Sequence, residues 1–135
     1  MIVEPNEVVK PGDILAATDR RLIAGYHYII HVEDFQDQSF VGAMLTSSSR
    51  GDNVRIEPDM FETHSEEGIE YPIPSKPSYV VQAKLIKLNA WGPFKVVGKL
   101  TNDGRLFVIE LINALQPETW EHYKRRSRNS GRRAS

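Results

Sequence analysis

The chain has 135 residues, 40% of them hydrophobic, a net charge of −1 and no cysteine. This length suits one domain that buries roughly two thirds of its unfolded surface. Without cysteine there can be no disulfide or thiolate metal site, and a reducing cytosol is the natural setting. No apolar run approaches the ~20 residues that span a bilayer, and the opening MIVEPNEVVKPGD is charged too early for a signal peptide. A soluble cytoplasmic protein without a membrane partner is expected.

In chain order, residues 8–18 (VVKPGDILAAT) read as a strand broken by Pro11-Gly12 and resumed at Asp13. Residues 25–32 (GYHYIIHV) and 39–46 (SFVGAMLT) read as two more strands, with the polar EDFQDQ between them as a hairpin loop. NVRIE (53–57) alternates in the strand manner. Residues 58–77 form a long loop with four prolines, and from Glu57 to Glu70 there are six acids and no Lys or Arg. A loop this long in a small domain is usually functional or disordered. SYVVQAKLIKL (78–88) is the longest strand candidate, and FKVVGKL (94–100) is another.

The pattern changes after Thr101. TNDGRLFVIELINALQP predicts a helix with Thr101 as N-cap, Asp103 in the first turn and Pro117 as terminator. Its expected apolar band is Leu106, Ile109, Ile112 and Leu115, and Gly104 weakens the first turn by ~1 kcal/mol. ETWEHYKRR predicts a further short helix. Strands followed by a packed helix suggest a small mainly β barrel of five to seven short strands. The last twelve residues, KRRSRNSGRRAS, hold six of the 17 basic groups, leaving 11 basic against 18 acidic side chains in 1–123. A barrel domain over 1–123 and a disordered basic tail over 124–135 follow. The tail reads either as a solvated terminus or as an arm for nucleic-acid phosphates.

Candidate chemistry centres on His27 and His31. Strand alternation puts 27, 29 and 31 on one face and 26, 28, 30 and 32 on the other. If the second set is core, both histidines are surface groups. Four positions along a strand span ~13 Å, too far for two imidazoles to share an ion at ~2.1 Å, so neither metal nor cofactor is expected. His64 and His122 read as solvated. The Thr46-Ser47-Ser48-Ser49 cluster and the RGD at 50–52 read as turns. Trp91 and Phe94 read as packing beneath the Gly92-Pro93 turn, with base stacking by Trp91 the lesser reading.

The order of PGDI (11–14), a strand opened by Gly25, a strand ending TSS (46–48), SYVVQAKLIKLNAW (78–91) and VGKLTNDGRLFVIELINAL (97–115) resembles the MazF/PemK/Kid-like toxin family. The resemblance covers about residues 8–116. It implies an SH3-like barrel with a C-terminal helix, usually a homodimer. It also implies metal-independent cleavage of single-stranded RNA, restrained by an antitoxin. The same fold includes a topoisomerase poison that cleaves nothing. His27 falls where the family has a catalytic arginine, Ala83-Lys84 where it has an Asp-Gln pair, and Thr46-Ser47 keeps its Thr-Ser. His27, Thr46 and Ser47 are therefore the expected reacting centre. Arg20, Arg21, Arg50 and Arg55 are the expected phosphate contacts. Histidine suits either proton role in attack by a 2′-hydroxyl, since its ordinary pKa of about 6.5 is near working pH. The alternative is a barrel without catalysis, binding an acidic antitoxin peptide, a topoisomerase or nucleic acid. The acidic 57–70 loop and the basic tail are a further pair with complementary charge.

Overall fold

The computed structural model describes residues 9–18, 26–71, 77–88 and 94–126. Over the described residues the chain is mainly β, with eight strands in one sheet. These are β1 (Asp13–Thr18), β2 (Tyr26–Asp34), β3 (Ser39–Thr46), β4 (Val54–Ile56), β5 (Ser78–Val80), β6 (Lys84–Leu88), β7 (Lys95–Lys99) and β8 (Pro117–Glu118). Helix α1 (Asn102–Ile112) follows β7, and a second helix, α2, covers 120–126. The sheet runs β4-β5-β3-β2-β1-β7, with β6 also on β3 and β8 parallel to β6.

β3 is the hub of the sheet. It pairs with β2 along most of its length, with β5 through Leu45 and Thr46, and with β6 through Ser39–Gly42. Every residue from Ser39 to Met44 is buried. A strand that pairs on both edges and is covered on both faces needs an unbroken apolar run, which SFVGAM supplies. The β2–β3 hairpin turns through Gln36 and Gln38, both with positive φ. The loop is shorter than the polar EDFQDQ suggests because β2 runs on to Asp34.

Two expectations change, one for a strand and one for a loop. Residues 78–88 are not one strand. Leu45 faces Val80 while Gly42 faces Leu85, so three steps along β3 correspond to five along its partner. The two extra residues form a break at 81–83, which divides β5 from β6 and bends the chain. The 58–77 loop is not structureless over its described part. It begins with a 3-10 turn (Pro58–Met60), and its next residues meet β7: the Glu62 N–H donates to the Lys99 carbonyl, and Phe61 bridges Leu100. Met60 and Phe61 pack on the main core, which anchors the acidic stretch at its start.

Helix α1 begins as expected, with the Thr101 hydroxyl oxygen accepting the Gly104 N–H at 3.1 Å. It ends at Ile112, and its buried positions are Gly104, Val108 and Ile112. Leu106, expected in the apolar band, is 58% exposed. The helix is rotated toward Gly104 because that glycine lets it press on the 3-10 turn. A Cβ there would lie 2.4 Å from the Met60 carbonyl oxygen.

The sheet is buried on both sides. Ile14, Ile30, Val41, Ala43, Val80 and the buried face of α1 form the main core. Leu15, Ile29 and Phe40 form a second core with Val9, Phe94 and Val96, so Phe94 does pack, edge-on to Phe40. Met44, Val81, Ala83 and Leu85 form a third beneath Trp120 and Tyr123 of α2. The reading of both histidines as surface groups, which required a single core face on β2, therefore does not hold for His31. Ile29, Ile30 and His31 are all buried in succession. His31 is an interior residue.

Candidate functional site

The β2–β3 ladder ends at Tyr28 opposite Leu45. The next position on each strand, in the same register, is His27 on β2 and Thr46 on β3. Thr46 in turn pairs with Tyr79 on β5, and Tyr79 pairs with Arg55 on β4. Paired residues of antiparallel strands share a face and lie about 5 Å apart. Three strands thus carry one transverse row, Thr46, Tyr79 and Arg55, with the backbone position of His27 next in line past the end of the β2–β3 ladder. The side chain of His27 lies outside the described residues, as do Arg20, Arg21 and Trp91. The next rung, Leu45, Val80 and Val54, belongs to the other face, where Val80 is fully buried in the core. The row therefore faces away from the main core.

Beyond Thr46 the chain ties itself into a compact turn. The Ser48 N–H donates to Thr46 Oγ1 at 3.1 Å, and the Arg50 N–H donates to Ser48 Oγ at 3.2 Å. Asn53 Nδ2 donates to the Ser48 carbonyl at 3.0 Å. These bonds fix the hydroxyl-rich loop but leave the Thr46 hydroxyl proton free to donate. Ser47 is exposed, and so is Arg50, which has no ion-pair partner among the described residues. Arg55 Nε is 3.6 Å from Glu57 Oε1, and both side chains are more than half exposed. An ion pair of that kind is worth under about 1 kcal/mol and exchanges readily for another anion.

On the same face, two residues earlier in β3, Met44 lies beneath Trp120 and Tyr123. Helix α2 thus borders the row. Its hold on the sheet is a bidentate pair: Arg126 Nε and Nη2 donate to Glu118 Oε1 and Oε2 at 2.8 and 2.7 Å. His122 is exposed, as expected, and its Nδ1 is also 2.8 Å from Glu118 Oε1. The Glu118 side chain is only 8% exposed. The Arg126 hydrogen bonds hold its carboxyl below the usual range, opposed by burial and reinforced by His122. The same pair raises Arg126. Arg126 also stacks over Tyr123 and reaches the Gln82 carbonyl. Gln82 Nε2 in turn donates to the Asp52 carbonyl in the 46–53 loop. Residues 124–126, read from composition as the start of the tail, are helical, and residues 127–135 lie outside the described residues.

Ala83, where the resembled family carries a carboxylate, is fully buried under α2. Tyr79 was missed in the sequence. Its place in the row depends on a β5–β4 register that 78–88 read as one strand conceals. His64 is exposed, its Nδ1 3.0 Å from Thr63 Oγ1. Among the described residues there is no cluster of three or more His, Asp or Glu side chains placed to hold a metal ion. No described helix is long and apolar enough to cross a membrane. Comparison with protein-family models, with curated proteins and with solved structures finds no match to the chain.

Proposed function

We propose that this chain is a metal-independent endoribonuclease of MazF/PemK-like type, an SH3-like barrel that cuts single-stranded RNA at the row ending β2 and β3. What supports the reading is the end of the β2–β3 ladder at Tyr28 opposite Leu45, one position short of His27 and Thr46, with Ser47 exposed after Thr46. In this mechanism His27 takes the proton of a ribose 2′-hydroxyl as its oxygen attacks the adjacent phosphorus. The bond to the 5′-oxygen breaks, and that oxygen leaves with a proton taken from water while His27 returns its own proton to solvent, giving a cyclic phosphate end. The Thr46 and Ser47 hydroxyls donate to the phosphate oxygens as charge builds there. Arg50 and Arg55 supply positive charge at the same edge, Arg55 by exchanging Glu57 for phosphate. Arg20 and Arg21 are further phosphate contacts in this proposal. A homodimer in the cytoplasm, restrained by an acidic antitoxin peptide, completes it.

Incubation of the purified chain with long single-stranded RNA in EDTA tests the reading. Cleavage that leaves cyclic phosphate ends, lost in His27→Ala and in Thr46→Val, is the expected result. RNA left intact by the wild type, or cut equally by His27→Ala, refutes it. The burial of Ala83 favours a second reading, a binding module without catalysis. It predicts intact RNA in that assay together with saturable, salt-sensitive retention of RNA or of an acidic peptide.

A further inference from the structure

The path of the loop between β3 and β4 is set by topology. Both strands run antiparallel to β5, one on each of its edges, so they are parallel to each other. The chain over 47–53 must therefore cross β5 to reach the start of β4. Its sequence is SSSRGDN, with no apolar side chain to bury. A segment without apolar burial has low local stability, and its hydrogen bonds decide where it sits.

Those bonds form a series. Thr46 Oγ1 accepts the Ser48 N–H at 3.1 Å, and the Ser48 carbonyl accepts Asn53 Nδ2–H at 3.0 Å. Next to Asn53, the Asp52 carbonyl accepts Gln82 Nε2–H at 2.6 Å. The Gln82 carbonyl accepts Arg126 Nη2–H at 3.4 Å. Four bonds thus lead from α2 to the Thr46 hydroxyl oxygen. With one of its lone pairs engaged by Ser48, that hydroxyl is restricted in rotation and its proton points elsewhere. Among the described residues, Gln82 is the one residue outside β3 and the loop that hydrogen-bonds to the loop.

The tether is firm at its root. Gln82 lies in the break between β5 and β6, where the Ala83 N–H donates to the Val81 carbonyl at 2.8 Å. This closes a three-residue turn with Gln82 at its centre. Val81 and Ala83 on either side are buried beneath Trp120 and Tyr123 of α2. The backbone of Gln82 is thus held by the third core while its side chain reaches out to the loop.

We propose that Gln82 is a positioning residue for the Thr46 hydroxyl, tying the hydroxyl loop to α2 so that the Glu118–Arg126 clamp sets how firmly that hydroxyl is aimed. This role rests on the nuclease reading and adds to it a residue that acts through the loop rather than on the substrate. A chain of hydrogen bonds between packed elements is a physical route for such coupling, and substitution along it measures the coupling.

Hydrogen exchange at the Ser48 and Arg50 amides of the full chain, read alongside cleavage of long single-stranded RNA, tests this. In Gln82→Ala both amides exchange roughly threefold to tenfold faster, the equilibrium worth of one hydrogen bond. The kcat falls by a similar factor and KM stays within about twofold, because Thr46 acts as charge builds in the transition state. The urea midpoint stays at the wild-type value, which separates positioning from a general loss of stability. Gln82→Glu keeps the shape of the side chain without an N–H to donate, and behaves as Gln82→Ala. Glu118→Gln accelerates the same amides in the wild-type background and adds nothing in the Gln82→Ala background. Unchanged exchange in Gln82→Ala overturns the proposal, as does equal acceleration by Glu118→Gln in both backgrounds. Wild-type kcat in Gln82→Ala overturns it too and leaves the nuclease reading standing. RNA left intact by the wild type removes the nuclease reading and the positioning role together.

Discussion

Gly104→Ala sets two effects of opposite sign against each other. In an isolated helix the change is stabilising by up to about 1 kcal/mol, because glycine is the poorer helix former. In this fold the new Cβ would lie 2.4 Å from the Met60 carbonyl oxygen, 3.1 Å from Met60 Cβ and 3.2 Å from Leu100 Cβ. An ordinary carbon–oxygen contact is about 3.3 Å, so the carbonyl must retreat by roughly 0.9 Å. That carbonyl accepts the Thr101 N–H at 2.9 Å and the Thr101 hydroxyl at 3.3 Å. A retreat of this size takes both beyond hydrogen-bond range. Losing two bonds at about 0.5–1.5 kcal/mol each, with overpacking of about 1–3 kcal/mol, outweighs the propensity gain. The expected net is a loss of about 2 kcal/mol. Urea denaturation followed by far-ultraviolet circular dichroism would read it as a lower midpoint at unchanged slope. Leu106→Ala, on the exposed side of the same helix, serves as control and should stay within about 0.5 kcal/mol. A Gly104→Ala protein as stable as wild type or more so would refute the close approach of helix and 3-10 turn.

Thr101→Ala should cost about 1 kcal/mol by freeing the Gly104 N–H, and Thr101→Ser should recover most of it in the same denaturation assay. Ala83→Asp places a carboxylate at a fully buried site beneath Trp120 and Tyr123, and should cost several kcal/mol, about 3 or more, without raising any RNA cleavage. The folded-state pKa of Glu118 is depressed, so its contribution is present above the ordinary value of about 4.3 and is lost as pH falls through the folded value. Hydrogen exchange at the Trp120–Tyr123 amides should therefore accelerate relative to the main core below about pH 4, and Glu118→Gln should show that faster exchange already at neutral pH. Equal protection in Glu118→Gln and wild type at neutral pH would show that the pair does not hold the helix.

Local signals in this chain were readable where a residue acts on its immediate neighbours. Thr101 caps α1 because a hydroxyl three residues before an amide can reach it, and that relation is written in TNDG. SFVGAM predicts a buried strand since few other arrangements tolerate such a run. What could not be read depends on partners distant in sequence. The break at 81–83 is set by β3, which must pair with two segments at once. Leu106 is exposed because Gly104 turns the helix toward Met60, some forty residues away. Arg126 is a structural clamp rather than a loose tail charge because Glu118 is held against β6. Composition sees six basic groups at the end of the chain and cannot tell which one is already paired.

The two histidines of GYHYIIHV show how the same limit bears on function. Alternation assigns them equal roles, since positions 27 and 31 share a face of an ideal strand. That inference holds only if one face is solvent, and here both faces carry a core. Along β3 the residues are buried from Ser39 to Met44 and half-buried at Leu45 and Thr46. β2 runs antiparallel, so His31 lies opposite Gly42 in the covered region, while the His27 position follows the last pair of the ladder, Tyr28 opposite Leu45, where cover ends. What separates the two histidines is the distance from the end of the sheet. A histidine under cover must find partners inside the fold, and His31 has Phe40, on which its ring stacks, and Asp34 Oδ1 at 3.3 Å. A position where cover ends can meet a ligand from solution, and there the row of Thr46, Tyr79 and Arg55 offers a hydroxyl, a phenol and a guanidinium on one surface.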